Sequence, residues 1–132
     1  MAAAFGFPRT CRLRKRREFL LVQGRGRRLS GRHLQFFVFG RRASSTSAVA
    51  ASIRFGITVT RKVGNAVTRN RIKRLLRERC RHVVGASPSG LDVVILVRAS
   101  AATAPAAAIA GDFLELSRRL GLIERQEQKQ VG

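Results

Sequence analysis

Residues 61–84, RKVGNAVTRNRIKRLLRERCRHVV, hold the densest set of side chains able to do chemistry, and that chemistry is phosphate binding. From position 66 to 84 there are seven Lys and Arg against one acid, Glu78. At 100° per residue, Asn70, Lys73, Arg74, Arg77 and Arg81 share one arc of a helix; Arg71 stands at one edge and Arg69 borders the apolar side. A guanidinium offers a planar fork of N–H donors that matches phosphate oxygens two at a time. The i, i+4 acids that let a solvated helix tolerate such charge are mostly missing, so a polyanion is needed to relieve the repulsion. A charged helix face is ordinarily just solvated; an Arg-dominated imbalance of this size argues otherwise.

Hydrolytic chemistry is harder to find. An autonomous nuclease needs metal-binding carboxylates or an acid–base pair. The acids are Glu18, Glu78, Asp92, Asp112, Glu115, Glu124 and Glu127. Of these, Asp112 and Glu115 alone lie three apart within a predicted helix, a spacing that brings carboxylates together. His33 and His82 have no neighbour that would make a base pair, and no phosphate loop of P-loop type is present. Cys80 and His82 lack a second pair to complete a tetrahedral zinc site. No catalytic residues and no metal ligands are expected.

Charge divides the chain. Its 132 residues carry 27 Lys and Arg against 7 Asp and Glu, a formal net charge of +20. Residues 85–132 balance five of each sign, so the whole excess precedes Gly85. The reading is one domain with a nucleic-acid-binding half and a neutral scaffold half. No apolar run approaches the roughly 20 residues of a membrane span, and two cysteines do not make a disulfide framework. The opening MAAAFGFPRT has the pattern of neither a secretory signal nor a transit peptide. A cytoplasmic protein without a membrane partner is expected.

The string GNAVTRNRIKRLLRE resembles the Arg-Asn-Arg signature of the bacterial ribonuclease P protein component. Lys62, Gly64, Asn65, Ala66, Val67, Arg69, Asn70, Arg71, Lys73, Arg74 and Arg77 all match the family pattern. The resemblance implies a protein subunit that binds the catalytic RNA and the 5′ leader of precursor tRNA. It assists Mg²⁺-dependent leader removal performed by the RNA, which holds the ion; the protein itself binds no cofactor. A monomer in a 1:1 complex with the RNA is implied. Arg61, Lys62, Asn65, Arg69, Asn70, Arg71, Lys73, Arg74 and Arg77 would contact RNA. Phe19 and Phe37, with the outward Arg54 and Thr58, would line a leader cleft. Gln23 stands where some members carry a second aromatic, so no ring is implied there.

The elements that must position these residues follow from periodicity. A short helix is predicted over 15–23. Residues 33–40, HLQFFVFG, read as a strand apolar on both faces, Leu34, Phe36 and Val38 against Phe37 and Phe39; core packing and RNA stacking suit Phe37 equally well. Residues 41–52 read as a loop. In 52–60, Ile53, Phe55, Ile57 and Val59 alternate with Arg54, Gly56, Thr58 and Thr60. Asn65 caps a helix running to about Val83, whose buried stripe is Ile72, Leu75, Leu76, Cys80 and Val83. Residues 91–99 form a central strand. After Pro105, Ile109, Phe113, Leu116 and Leu120 stripe a last helix, with Gly121 as its cap.

The predicted fold class is α+β: a small mixed sheet with helices packed on it, in the order helix-strand-strand-helix-strand-helix with a short extra strand near 60–63. The resemblance adds a left-handed strand-helix-strand crossover. A basic, flexible segment is expected over 1–13, the RNA-binding domain over 14–123 and a flexible tail over 124–132. Two binding alternatives remain open on the residues alone. A ribosomal or general RNA-structuring protein would have similar charge and size. A DNA-binding regulator would need a partner helix before Asn65, where the sequence is strand-like.

Overall fold

The computed structural model describes residues 12–13, 15–40, 53–84 and 91–120. The elements, in chain order, are α1 (Arg16–Arg25), β1 (Arg27–Ser30), β2 (Leu34–Gly40), β3 (Arg54–Thr58), a 3-10 turn (Arg61–Val63), α2 (Ala66–Val84), β4 (Leu91–Val97), a second 3-10 turn (Ala99–Ala102) and α3 (Ala106–Arg119). The strands form one mixed sheet in the order β1-β2-β4-β3. β2 runs antiparallel to β1 and β4, whereas β3 and β4 are parallel neighbours joined through α2. The fold is α+β, as the periodicity predicts.

β4 shows why there are two helical layers. Its residues 92–95 are all buried, so both faces of the sheet's middle need a cover. On one face, Leu34, Phe36, Val38, Phe55, Val93, Ile95 and Val97 form the main core with Ile72, Leu76, Cys80 and Val83 of α2 and Ile109, Phe113 and Leu116 of α3. The Phe113 ring meets Phe36 edge-on at 5.7 Å between centroids and tilts against Phe55 at 6.3 Å. On the other face α1 covers less. There Val22, Leu13 and Val94 make a small second core, flanked by Phe19, Phe37 and Phe39.

One expectation needs correction. The short strand placed near 60–63 is a 3-10 turn: the N–H of Val63 donates to the Thr60 carbonyl at 3.0 Å, that of Gly64 to Arg61 at 3.2 Å, and Val63 turns inward to the core. The additional strand is β1, formed by RRLS. Three of its four residues are exposed, and the pairing that holds it is the backbone ladder to β2. Such a short, charged edge strand shows no apolar alternation to read.

Of the segment expected over 1–13, Arg12 makes a bridge to Phe55, and Leu13 is buried and donates its N–H to the Phe55 carbonyl at 2.8 Å. Residues 1–11, the loop at 41–52, Gly121 and the tail at 124–132 lie outside the described residues. Among the described residues no helix is long and apolar enough to cross a membrane.

Asp112 of α3 closes the turn between β1 and β2. Its carboxylate accepts backbone N–H bonds from Arg32 at 3.1 Å and from His33 and Leu34 at 2.9 Å each. Bonds from N–H to a carboxylate are charge-assisted, and removing the acceptor strands three donors together. Asp112→Ala is expected to cost about 2–3 kcal/mol of stability, measured as a lower urea midpoint at unchanged slope.

Candidate nucleic-acid interface

α2 is built as the sequence implies. The Asn65 Oδ1 accepts the Thr68 N–H at 2.9 Å and so caps the helix, while the Asn65 carbonyl accepts from Arg69. Gly64, just before the cap, has φ 151°, where a side chain would be strained. Ile72, Leu76, Cys80 and Val83 are fully buried and Leu75 packs beside them, which turns the opposite arc outward. Cys80 is a core residue; burial pushes its thiol pKa well up and away from reactivity. Cys11 lies outside the described residues.

Arg61 and Lys62 of the first 3-10 turn, with Asn65, Asn70, Arg71, Arg74 and Arg77, are exposed. Lys73 and Arg69 are partly buried. Arg69 bends back, its Nε donating to the Gly64 carbonyl at 3.1 Å, so this cation also fixes the helix entrance. Arg71 edges an apolar pocket of about 180 Å³ between α2 and α3. Arg74, Arg77, Glu78 and Arg81 surround an open depression of about 350 Å³. Glu78, the helix's one acid, forms an ion pair with Arg81 and lies 3.3 Å from His82 Nε2, and the Arg81 bond holds its carboxyl below the usual range. The basic arc from Asn70 to Arg81 spans about 16 Å at 1.5 Å per residue.

A second candidate surface lies across the sheet. Arg16, Phe19, Leu20, Gln23 and Thr58 line a groove of about 380 Å³ between α1 and the end of β3. Phe19 and Thr58, both expected in a leader cleft, are brought together here. Phe37 packs in the same small core as Phe19. Its register partner on β4 is Val94, which in turn pairs with Gly56 of β3, so these three residues lie in one row across the sheet.

Arg54 is drawn elsewhere. Its Nε and Nη2 donate to the two Asp92 oxygens at 2.8 and 2.7 Å, and its Nη1 donates to Glu18 Oε2 at 3.1 Å. The Asp92 hydrogen bonds raise the Arg54 pKa against the opposing effect of burial, and Glu18 adds to the rise. Sequence reasoning missed Arg16 and Leu20, although residues 16, 19, 20 and 23 fall on one helix face by spacing. It also missed the role of Glu18, for which no local signal exists.

Four of the described carboxylates are engaged by nitrogen donors: Asp92 and Glu18 by Arg54, Glu78 by Arg81, Asp112 by the β1–β2 turn. Among the described residues no group of three or more His, Cys, Asp and Glu is arranged to hold a metal ion. The arrangement presents a cationic arc to a polyanion along α2 and an aromatic wall to an unstacked, partly apolar ligand beside Phe19.

Comparison with known proteins supplies an independent view. The family profile described as Ribonuclease P matches residues 7–121. The ribonuclease P protein component of Gluconacetobacter diazotrophicus is 41% identical over 115 residues, 86% of this chain and 94% of that one. Its counterpart from Rhodococcus opacus is 38% identical, over 88% and 89%. Among solved structures, the RNase P protein from Thermotoga maritima superposes with a TM-score of 0.67 at 31% identity, over 82% of this chain and 96% of that one. The Staphylococcus aureus RNase P protein mutant with defective mRNA degradation activity reaches 0.73 at 22% identity, over 86% and 90%, a likeness of fold.

Two substitutions test the geometry. A Cβ on Gly56 would lie 2.5 Å from the Phe19 ring and 3.1 Å from Leu13 Cβ. Gly56→Ala must therefore displace the ring, and it is expected to cost about 1–3 kcal/mol in urea unfolding. Asn65→Ala removes the α2 cap and should lower stability by about 1 kcal/mol, measured in the same way.

Proposed function

The chain belongs to the ribonuclease P protein family, and from that premise we propose that α2 docks on the catalytic RNA while the α1 groove receives the 5′ leader of precursor tRNA. The observation that carries this reading is the separation of two unlike surfaces. One is a cationic arc with Asn70, Arg71, Arg74 and Arg77 exposed. The other is a groove walled by Phe19, Leu20 and Thr58 with Arg16 at its edge. The main core packs between α2 and the sheet, whereas the α1 groove opens on the sheet's other side, so one protein can bridge two RNAs.

The division of labour follows from the chemistry of each surface. Arg and Lys along α2 neutralise phosphates and release condensed counterions, a sequence-independent attraction that docks and orients the protein. The groove offers an aromatic wall and a hydroxyl, contacts suited to unstacked bases and sugars of any sequence. Binding the leader there would hold the scissile region near the catalytic RNA and so favour precursor over mature tRNA. The phosphodiester is cut by that RNA with its Mg²⁺; this chain binds and orients the substrate and screens phosphate repulsion. A cytoplasmic 1:1 complex of protein and catalytic RNA is the working arrangement.

Single-turnover cleavage of a precursor tRNA by a bacterial ribonuclease P RNA at low Mg²⁺ tests the proposal. The protein should stimulate cleavage, and Lys73→Ala/Arg74→Ala/Arg77→Ala should abolish the stimulation. Arg69 is best left intact, because its bond to Gly64 would confuse binding with folding. If six to ten phosphates are engaged, affinity for the catalytic RNA should fall by about 10³- to 10⁵-fold between about 50 and 200 mM salt. A flat salt dependence, or no stimulation at all, would reject this function.

A further inference from the structure

Arg54 sits on the outward face of β3, where a cation would ordinarily meet phosphate. Its fork is closed by two acids instead. Asp92, 3% exposed, takes Nε and Nη2 in bidentate fashion, and Glu18 Oε2 takes Nη1. The other Glu18 oxygen, Oε1, accepts the Lys15 backbone N–H at 3.1 Å and so caps the first turn of α1. One carboxylate thus joins the start of the helix to a pair anchored within the sheet. The next residue, Phe19, lays its ring over Gly56, two positions beyond Arg54 and on the same face of β3. α1 is therefore fixed to β3 at two adjacent points, one ionic and one aromatic, and the groove opens just past the second.

We infer that Glu18, Arg54 and Asp92 form a positioning network that sets α1, and with it the Phe19 wall, at the distance from β3 that admits a single RNA strand. Arg54 acts through Glu18 and Phe19, not as a phosphate ligand. The inference rests on the reading of this groove as the leader site.

The sign of the effect separates the network from simple electrostatics. Glu18→Gln removes a negative charge from a protein of net charge +20, and by charge alone it should bind RNA more tightly. Through the network it weakens the tie between α1 and β3 and should loosen leader binding. The change is isosteric and leaves the buried Arg54–Asp92 pair in place, so the fold is kept. Arg54→Lys is the companion variant: it retains the charge and loses the fork.

The experiment uses the full chain assembled with a bacterial ribonuclease P RNA. Affinities are measured for a precursor tRNA with its leader and for the mature tRNA. In parallel, NMR follows the Gly56 Hα resonances of the free protein, which lie under the Phe19 ring and report its position by ring-current shift. Both variants are expected to bind precursor about three- to tenfold more weakly, with mature tRNA unaffected and the Gly56 signals moved toward ordinary glycine values. Unchanged or tighter precursor binding by Glu18→Gln would overturn the inference. So would weaker binding with the Gly56 signals unmoved, since Glu18 would then act without Phe19. If the unaltered complex showed no preference for precursor, the leader reading itself would fail and the inference with it; that failure is distinguishable because it needs no variant.

Discussion

The constraint on which this structure depends is that its central strand is apolar on both faces. β4 has antiparallel β2 on one side and parallel β3 on the other, and side chains 92–95 are all buried. A strand of that kind is stable only between two layers, yet the chain supplies them unequally. α2 and α3 cover one face with a continuous core of aliphatic and phenyl side chains. α1, ten residues long, covers only part of the other. Among the described residues, the remainder is the groove beside Phe19. The candidate ligand surface is thus left by an incomplete layer.

The same accounting of layers explains how α2 survives its own charge. Like charges three or four residues apart on a helix cost about 0.2–0.5 kcal/mol per pair. Full burial of an Ile, Leu or Val side chain contributes about 1.5–3 kcal/mol. Ile72, Leu76 and Val83 are buried, together with Cys80, so the stripe outweighs the repulsion on the opposite arc. The apolar stripe and the basic arc are two sides of one arrangement. The core holds a repulsive surface in place.

Much of this was legible in the sequence, and what was legible was local. Asn65 as a cap, the stripe of α2, the two-faced β2 and the alternation in β3 depend on residues within a few positions of one another. What was not legible came from residues distant in the chain. RRLS becomes a strand because β2 offers it a ladder, and neither its charge nor its spacing announces that. Thr60 to Gly64 coil into a 3-10 turn because Val63 reaches the core. Arg54 looked like a free cation on an outward face. Its partners Asp92 and Glu18 stand 38 and 36 positions away, and only the fold brings the three together. The family signature points to α2 as the candidate interface, but the wall of the groove, Arg16 to Gln23, depends on how α1 lies over Gly56.

The clasp made by Asp112 carries a consequence for the order in which the molecule is completed. Its three backbone donors, on Arg32, His33 and Leu34, are 78 to 80 positions earlier in the chain than the carboxylate they serve. A ribosome makes the cationic half first and the acid that locks its first hairpin some 80 positions later. Until α3 emerges, the turn's N–H groups remain with water and the main core lacks Phe113, while α2 with all its arginines is already outside. Until then the nascent chain is therefore a polycation without its scaffold, close to the ribosome's own RNA, and α3 is what turns it into a self-contained body.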